Sequence, residues 1–152
     1  MNKVGKTLVS HRKARHEYEI LDTIEAGLVL RGTEIKSLRL GKAQLQDGWV
    51  DIENGEAWLV DVTISSYSHG NIMNHAQGRL RKLLLHKAEI RRLAEQIRER
   101  GNTIIPLRIY LKGSLAKVEL ALARGKKLYD KREAVKEREA DRQIARAMVR
   151  KR

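Results

Sequence analysis

The chain has no cysteine, no phenylalanine and a single proline, Pro106, among its 152 residues. Without cysteine there is no thiol nucleophile, no cysteine-ligated zinc, no iron–sulfur cluster and no disulfide framework. Apolar runs such as Leu83-Leu84-Leu85 fall far short of the ~20 residues that a membrane span needs. The first residues, MNKVGKTLVSHRKARH, carry no apolar signal segment. A soluble, cytoplasmic protein with no membrane partner is expected. Acidic charge is scarce as well: 19 Asp and Glu face 32 Lys and Arg, a net charge of +13. Such a field draws polyanions, and nucleic acid is the first partner it implies. At about 150 residues per domain the length fits one domain with a self-sufficient core.

The excess charge is uneven. Residues 1–16 hold five basic residues and no acid, residues 17–123 hold 15 basic and 14 acidic, and residues 124–152 hold 12 basic and five acidic. This divides the chain into a basic N-terminal arm (1–16), a nearly neutral body (17–123) and a basic C-terminal tail (124–152). Highly charged ends resist collapse and are ordered by polyphosphate. In the tail Arg138, Arg142, Arg146 and Arg150 recur every fourth residue, a like-charge stripe that opposes an isolated helix. The apolar set Val135, Ile144 and Met148 is too thin to dock strongly, so the tail is expected to be disordered when free and helical on RNA.

The body alternates with period two. Tyr18, Ile20, Leu28 and Leu30 mark one bent strand or two, with Glu25-Ala26-Gly27 as the bend. Thr33 is the N-cap candidate of a short helix stopped by Gly41. Asn54-Gly55 between two apolar runs predicts a type I′ hairpin. Residues 65–78 read as a long surface loop. Leu85, Ile90, Leu93, Ala94 and Ile97 give a helix ending near Gly101 at the C′ position. A second hairpin turns at Lys112-Gly113-Ser114, with Pro106 at an edge or strand entry. Six or so strands with inserted helices predict a mainly β protein, a small closed antiparallel β-barrel of the oligonucleotide-binding type. An open sheet covered by a helix is the alternative.

Catalytic constellations fail one by one. Gly125-Lys126-Lys127 lacks the first glycine and the hydroxyl residue of a phosphate loop, and no G-x-S-x-G occurs. His86 and Glu89 form only an i,i+3 pair, too little for a metal site. His69 and His75 lie in the long loop and read as surface or RNA-facing groups. No enzyme activity, cofactor or metal is expected. Six aromatics, with Trp49 and Trp58 read as core, supply no platform for stacking many single-strand bases. Structured RNA gripped by shape and phosphates fits better.

Several strings together resemble one family. RKARHEYEI, EAGLVLRGTEIKSLRLGKA, the run from Arg79 to Leu85, LAKVELALARGKKLYDKRE and the basic tail are similar to small protein B, the SsrA-binding family of bacteria. The resemblance implies an oligonucleotide-binding-like barrel that binds the tRNA-like domain of transfer-messenger RNA. It further implies delivery with elongation factor Tu to stalled ribosomes, for trans-translation. On this resemblance the RNA-binding residues are His11, Arg12, Lys13, Arg15, His16, Glu25, Arg79, Arg81, Lys82 and Leu84. His11 stands where many members have Asn, and Ala76-Gln77 where many have Asp-Pro. The ribosome-binding tail comprises Gly125, Lys126, Lys127, Tyr129, Asp130, Lys131, Arg132, Arg138, Arg142 and Arg146, directed at the 16S ribosomal RNA decoding region and the empty message channel. A general ribosomal-RNA-binding or RNA-chaperone protein is the alternative.

Overall fold

A computed structural model describes residues 4–67, 75–126, 138–139 and 141–146. The elements run β1 (Val4–Ser10), α1 (Ala14–Glu17), β2 (Tyr18–Leu28), α2 (Gly32–Arg39), β3 (Ala43–Gln44), β4 (Trp49–Glu53), β5 (Glu56–Val60), β6 (Thr63–Ile64), β7 (Arg81–Leu84), α3 (Lys87–Arg98), β8 (Asn102–Lys112) and β9 (Leu115–Gly125). Seven strands form one antiparallel sheet in the order β1-β8-β9-β2-β7-β5-β4, and β3 pairs with β6. Residues 141–146 are again helical.

Turn chemistry sets the hairpins. Asn54 and Gly55 both adopt positive φ (53° and 74°), as a type I′ turn demands, and β4 pairs with β5 from Trp49↔Val60 to Glu53↔Glu56. Gly113 (φ 63°) turns β8 into β9. The expected bend at Glu25-Ala26-Gly27 is absent. β2 is one strand whose register slips between Ile20 and Asp22, while Glu25, Ala26 and Gly27 pair regularly with Glu119, Val118 and Lys117.

Helix α2 starts at Gly32, one residue before Thr33, with Arg31 at the cap. The Glu34 carboxylate accepts the Arg31 backbone N–H at 2.8 Å and supplies the capping interaction expected of the threonine. Gly41 (φ 71°) ends this helix as expected. Helix α3 ends at Arg98 with Glu99 as C-cap, so Gly101 (φ 86°) sits one place beyond C′. His86 and Glu89 pair as cap partners: the carboxylate accepts the His86 backbone N–H at 2.9 Å.

Pro106 lies inside β8 rather than at its start, where the register shifts between Pro106 and Arg108. Strand β1 stops pairing at Ser10↔Arg108, so the proline occupies a bulge beyond β1, where no ladder needs its missing N–H. The sheet curls until β4 lies against β8, yet no ladder joins them among the described residues. The closed barrel is therefore not formed. Beside β4, at Gly48, an added Cβ would meet Pro106 Cγ at 2.9 Å, and Pro106 has no N–H to offer across the seam. The curl encloses one core, with Val50, Leu59, Leu83, Ile104, Ile109, Val118 and Leu120 at its centre and Ile90 and Leu93 of α3 packed on it.

Candidate nucleic-acid interface

Strand parity decides which side chains of the β7 run can meet a ligand. Residues 81 and 83 point inward and residues 82 and 84 outward. Leu83 is 2 % exposed, whereas Leu84 is 55 % exposed, an apolar side chain left in water. Lys82 shares its face and pairs loosely with Glu56 at 3.5 Å. The ladder Gly27↔Leu84 and Leu28↔Leu83 turns Leu84 out. Gly27 is what lets it lie there, since a Cβ would stand 3.0 Å from the Leu84 Cβ.

Glu25, two residues along β2, opens into the same groove as Gly27, Leu84, His86, Glu89 and Lys117. Its carboxylate accepts hydrogen bonds from the Tyr110 hydroxyl and, at 3.3 Å, from the Lys112 ammonium. The Tyr110 hydrogen bond, aided by Lys112 and opposed by modest desolvation, holds the Glu25 carboxyl below the usual range. Burial and the Glu25 charge push the Tyr110 hydroxyl up in turn, so it stays a donor. A fixed, ionised acceptor thus faces an exposed leucine across one groove.

A register row joins this groove to the N-terminal arm: Ser10↔Arg108, Arg108↔Glu119 and Glu25↔Glu119. The facing acids would repel, but Arg108 reaches Glu119 at 3.4 Å and Lys112 reaches Glu25. Beyond Ser10, Arg12, Lys13, Arg15 and His16 are all exposed around the short α1, which Ala14 anchors in the protein. Residue-by-residue reasoning passed over Arg108, Tyr110, Lys112, Lys117 and Glu119. Their signal was present as the polar phase of the β8–β9 alternation.

His11 departs from its neighbours. It is buried, and neither ring nitrogen makes a well-aligned hydrogen bond. Burial lowers its pKa against the opposing Glu17 charge, and it lines a hollow together with Arg12, Arg15 and Arg108.

Arg79 and Arg81 also depart from the expectation of phosphate contacts. Arg81 and Glu34 are both fully buried. Arg81 donates to Glu34 Oε2 at 2.6 Å and to the carbonyls of Val62, Arg79 and Gln77, and its complete burial keeps the guanidinium from the surface. Arg79 pairs with the same carboxylate through Nη2 and, at 3.1 Å, through Nε. Inward parity at residue 81 and a carboxylate on α2 account for both. His75, expected at the surface, is buried too, bonded to Thr33 Oγ1 (2.8 Å) and to the Ile64 carbonyl (2.9 Å). It ties the far end of the 65–78 loop to α2.

In the tail, Gly125 closes β9 opposite Tyr18. The Lys126 backbone N–H bonds the Glu17 carbonyl at 3.2 Å, and its ammonium donates to the Arg15 carbonyl at 2.7 Å. Lys127, Tyr129, Asp130, Lys131 and Arg132 lie outside the described residues. Arg138, Arg142 and Arg146 do not project into solvent as a disordered tail would; they lie on the body. Arg138 donates to Tyr18 Oη at 2.6 Å and to Thr103 Oγ1. Arg142 sits over the Trp49 ring at 5.5 Å and 3.6 Å from Asp51. Arg146 lies 3.7 Å from Asp51 and 3.4 Å from Glu53. The docking residue is small: Ala145 is buried among Trp49, Trp58, Val60 and Leu80, whereas Ile144 is 60 % exposed.

Among the described residues no group of three or more metal-ligating side chains occurs, and no helix is long and apolar enough to cross a membrane. The sheet surface thus carries a basic strip, a fixed acceptor at Glu25 and, two residues along β2 at Gly27↔Leu84, an exposed apolar side chain. The model of the SmpB protein family matches residues 8–150, and the chain belongs to that family. It is similar to the SsrA-binding protein of Desulforudis audaxviator (61% identical over 142 residues, 93% of each chain). It also resembles that of Enterococcus faecalis (55% over 144 residues, 95% of this chain and 94% of the relative). A solved chain described as "tmRNA-SmpB: a journey to the center of the bacterial ribosome" matches with TM-score 0.67 and 47% identity over 83% of this chain and 92% of that one.

Proposed function

We propose that the protein binds the tRNA-like domain of transfer-messenger RNA and delivers it, without catalysing a reaction, to stalled bacterial ribosomes for trans-translation in the cytoplasm. Glu25 ionised opposite an exposed Leu84 carries this reading: the carboxylate accepts hydrogen bonds from base or sugar edges, and the leucine packs on an apolar base face. Arg12, Lys13, Arg15, His16 and Lys82 supply the phosphate contacts around them, with His11 beneath. Arg81 is assigned to the scaffold, and Arg79 contributes at most its outer edge. Elongation factor Tu joins through the RNA, and the tail from Gly125 onward engages the 16S decoding region and the empty message channel.

Shape-specific binding is tested by competition at fixed salt, because phosphate contacts alone respond to any RNA. Excess bulk tRNA should displace the tRNA-like domain poorly. Replacing Glu25 and Leu84 together by Ala should weaken that binding by roughly 30- to 100-fold, the usual scale for two central contacts. Equal competition by bulk tRNA would instead mark a general RNA chaperone.

A further inference from the structure

Glu25 and Tyr110 belong to strands that are not neighbours. β9 runs between β2 and β8, so the two backbones stand at least two strand spacings, about 10 Å, apart. The row Gly27↔Lys117 and Tyr110↔Lys117 lies beside the row Glu25↔Glu119 and Arg108↔Glu119. These side chains share one face of the sheet, and only those laid along that face can meet across β9. Tyr110 does so. It is 2 % exposed, its hydroxyl donates to Glu25 Oε2, and the Arg108 guanidinium covers its ring, 4.3 Å from the centroid. Arg108 is held in turn by Thr7 Oγ1 at 3.1 Å and Glu119 at 3.4 Å.

We propose that Tyr110 is a positioning residue of the RNA interface: pinned between the sheet and Arg108, it orients the Glu25 carboxylate as an acceptor without cancelling its charge. The inference rests on the proposed contact between Glu25 and RNA. The other donors near this carboxylate are ammonium groups. Lys112 lies 3.3 Å from Glu25 Oε1, and Lys117 lines the same groove. An ammonium on a flexible stem follows the carboxylate it binds and neutralises it. A phenol O–H donates one hydrogen bond in a fixed direction and leaves the negative charge in place. Each carboxylate oxygen has two lone pairs, so Oε2 keeps one for an RNA donor. Burial and the Glu25 charge keep the Tyr110 hydroxyl protonated, and its hydrogen bond is the largest influence lowering the Glu25 pKa. Through Arg108 and Thr7 the same chain of contacts ties the acceptor to β1, the strand that leads into the basic arm.

The test is a double-mutant cycle of Tyr110→Phe and Glu25→Gln in the full chain, read as affinity for the tRNA-like domain. Tyr110→Phe keeps the buried ring and should weaken binding about tenfold at neutral pH, the scale of one hydrogen bond to a charged group. Lowering the pH toward the ordinary 4.5 of the Glu25 carboxyl should widen that gap, by about a further two- to threefold, because the variant lacks the strongest contribution to keeping the group ionised. His86 and Glu89 at the start of α3, Lys117 and Glu119 on β9 and Arg108 and Lys112 on β8 surround Glu25. They are present in both proteins, so the ratio isolates the Glu25 carboxyl. In the Glu25→Gln background, Tyr110→Phe should cost less than about twofold at every pH. Carbon NMR of the free proteins gives a second reading: the Glu25 carboxyl should titrate higher in Tyr110→Phe than in the unaltered chain. An equal cost in both backgrounds, a ratio that is flat across pH, or an unmoved Glu25 titration overturns the positioning role. Undiminished binding by Glu25→Gln alone refutes the contact between Glu25 and RNA, and the positioning role with it.

Discussion

Two regions of the molecule each set one buried carboxylate against two arginines, and the outcomes are opposite. At Glu34 burial works to raise the pKa, but hydrogen bonds from Arg79, the Arg31 N–H and Arg81 outweigh it and hold the group below the usual carboxylate range. At Asp51 burial also raises the pKa, and the charges of Arg146 and Arg142 oppose it without overcoming it. Distance and alignment separate the cases. Donors on Glu34 approach to hydrogen-bond length, whereas those on Asp51 stand at 3.6 and 3.7 Å. Desolvation of a charge is recovered only where hydrogen bonds replace those lost to water. One site is a permanent fastening of β7 to α2; the other holds the tail by attraction alone.

Breaking the fastening should have the largest effect. Glu34→Gln leaves the Arg81 guanidinium buried without its counter-charge, and urea unfolding should show a loss of about 3–5 kcal/mol. Asp51→Asn removes a charge that the fold already disfavours, so the same measurement should stay within about 1 kcal/mol of the unaltered protein.

Their pH dependence should run in opposite directions. Glu34 is depressed, so its stabilisation is complete above its ordinary 4.5 and fades as pH falls through the lower folded value. The Glu34→Gln deficit should therefore shrink in acid. Asp51 is raised, so the stability of the unaltered protein relative to Asp51→Asn should fall as pH rises from 3.8 toward the folded value. Parallel profiles would erase the distinction between the two sites. The smallest effect belongs to the outward neighbour of Arg81. Lys82→Ala should leave stability within about 0.5 kcal/mol and reduce the salt slope of RNA binding by about one.

Local chemistry was legible wherever a turn or a period dictates one geometry. Asn54-Gly55, Gly41 and Gly113 behave as read, because positive φ is a property of those residues and their neighbours. The alternation of β9 was equally plain, since its apolar phase faces a core. Pairings over long sequence separations were not. Glu34 and Arg81 are 47 residues apart, Glu25 and Tyr110 are 85 apart, and Arg138 and Tyr18 are 120 apart. Arg81 read as a phosphate contact because nothing near it in the chain announces a partner. The tail read as free because its stripe was weighed against its own apolar residues and not against Asp51, Glu53 and the tryptophans.

The sequence by itself determined the hairpin turns, the amphipathic α3, the family and the concentration of positive charge at the two ends. Those follow from backbone preference, periodicity and composition, which act over a few residues or over the whole chain at once. Only the tertiary structure decided which charges remain available. Strand parity turned Leu84 outward and Arg81 inward, the curled sheet stays open beside the bulge at Pro106, and the β4 face takes up Arg142 and Arg146. A side chain's charge belongs to the residue, but its solvation and its partner belong to the fold.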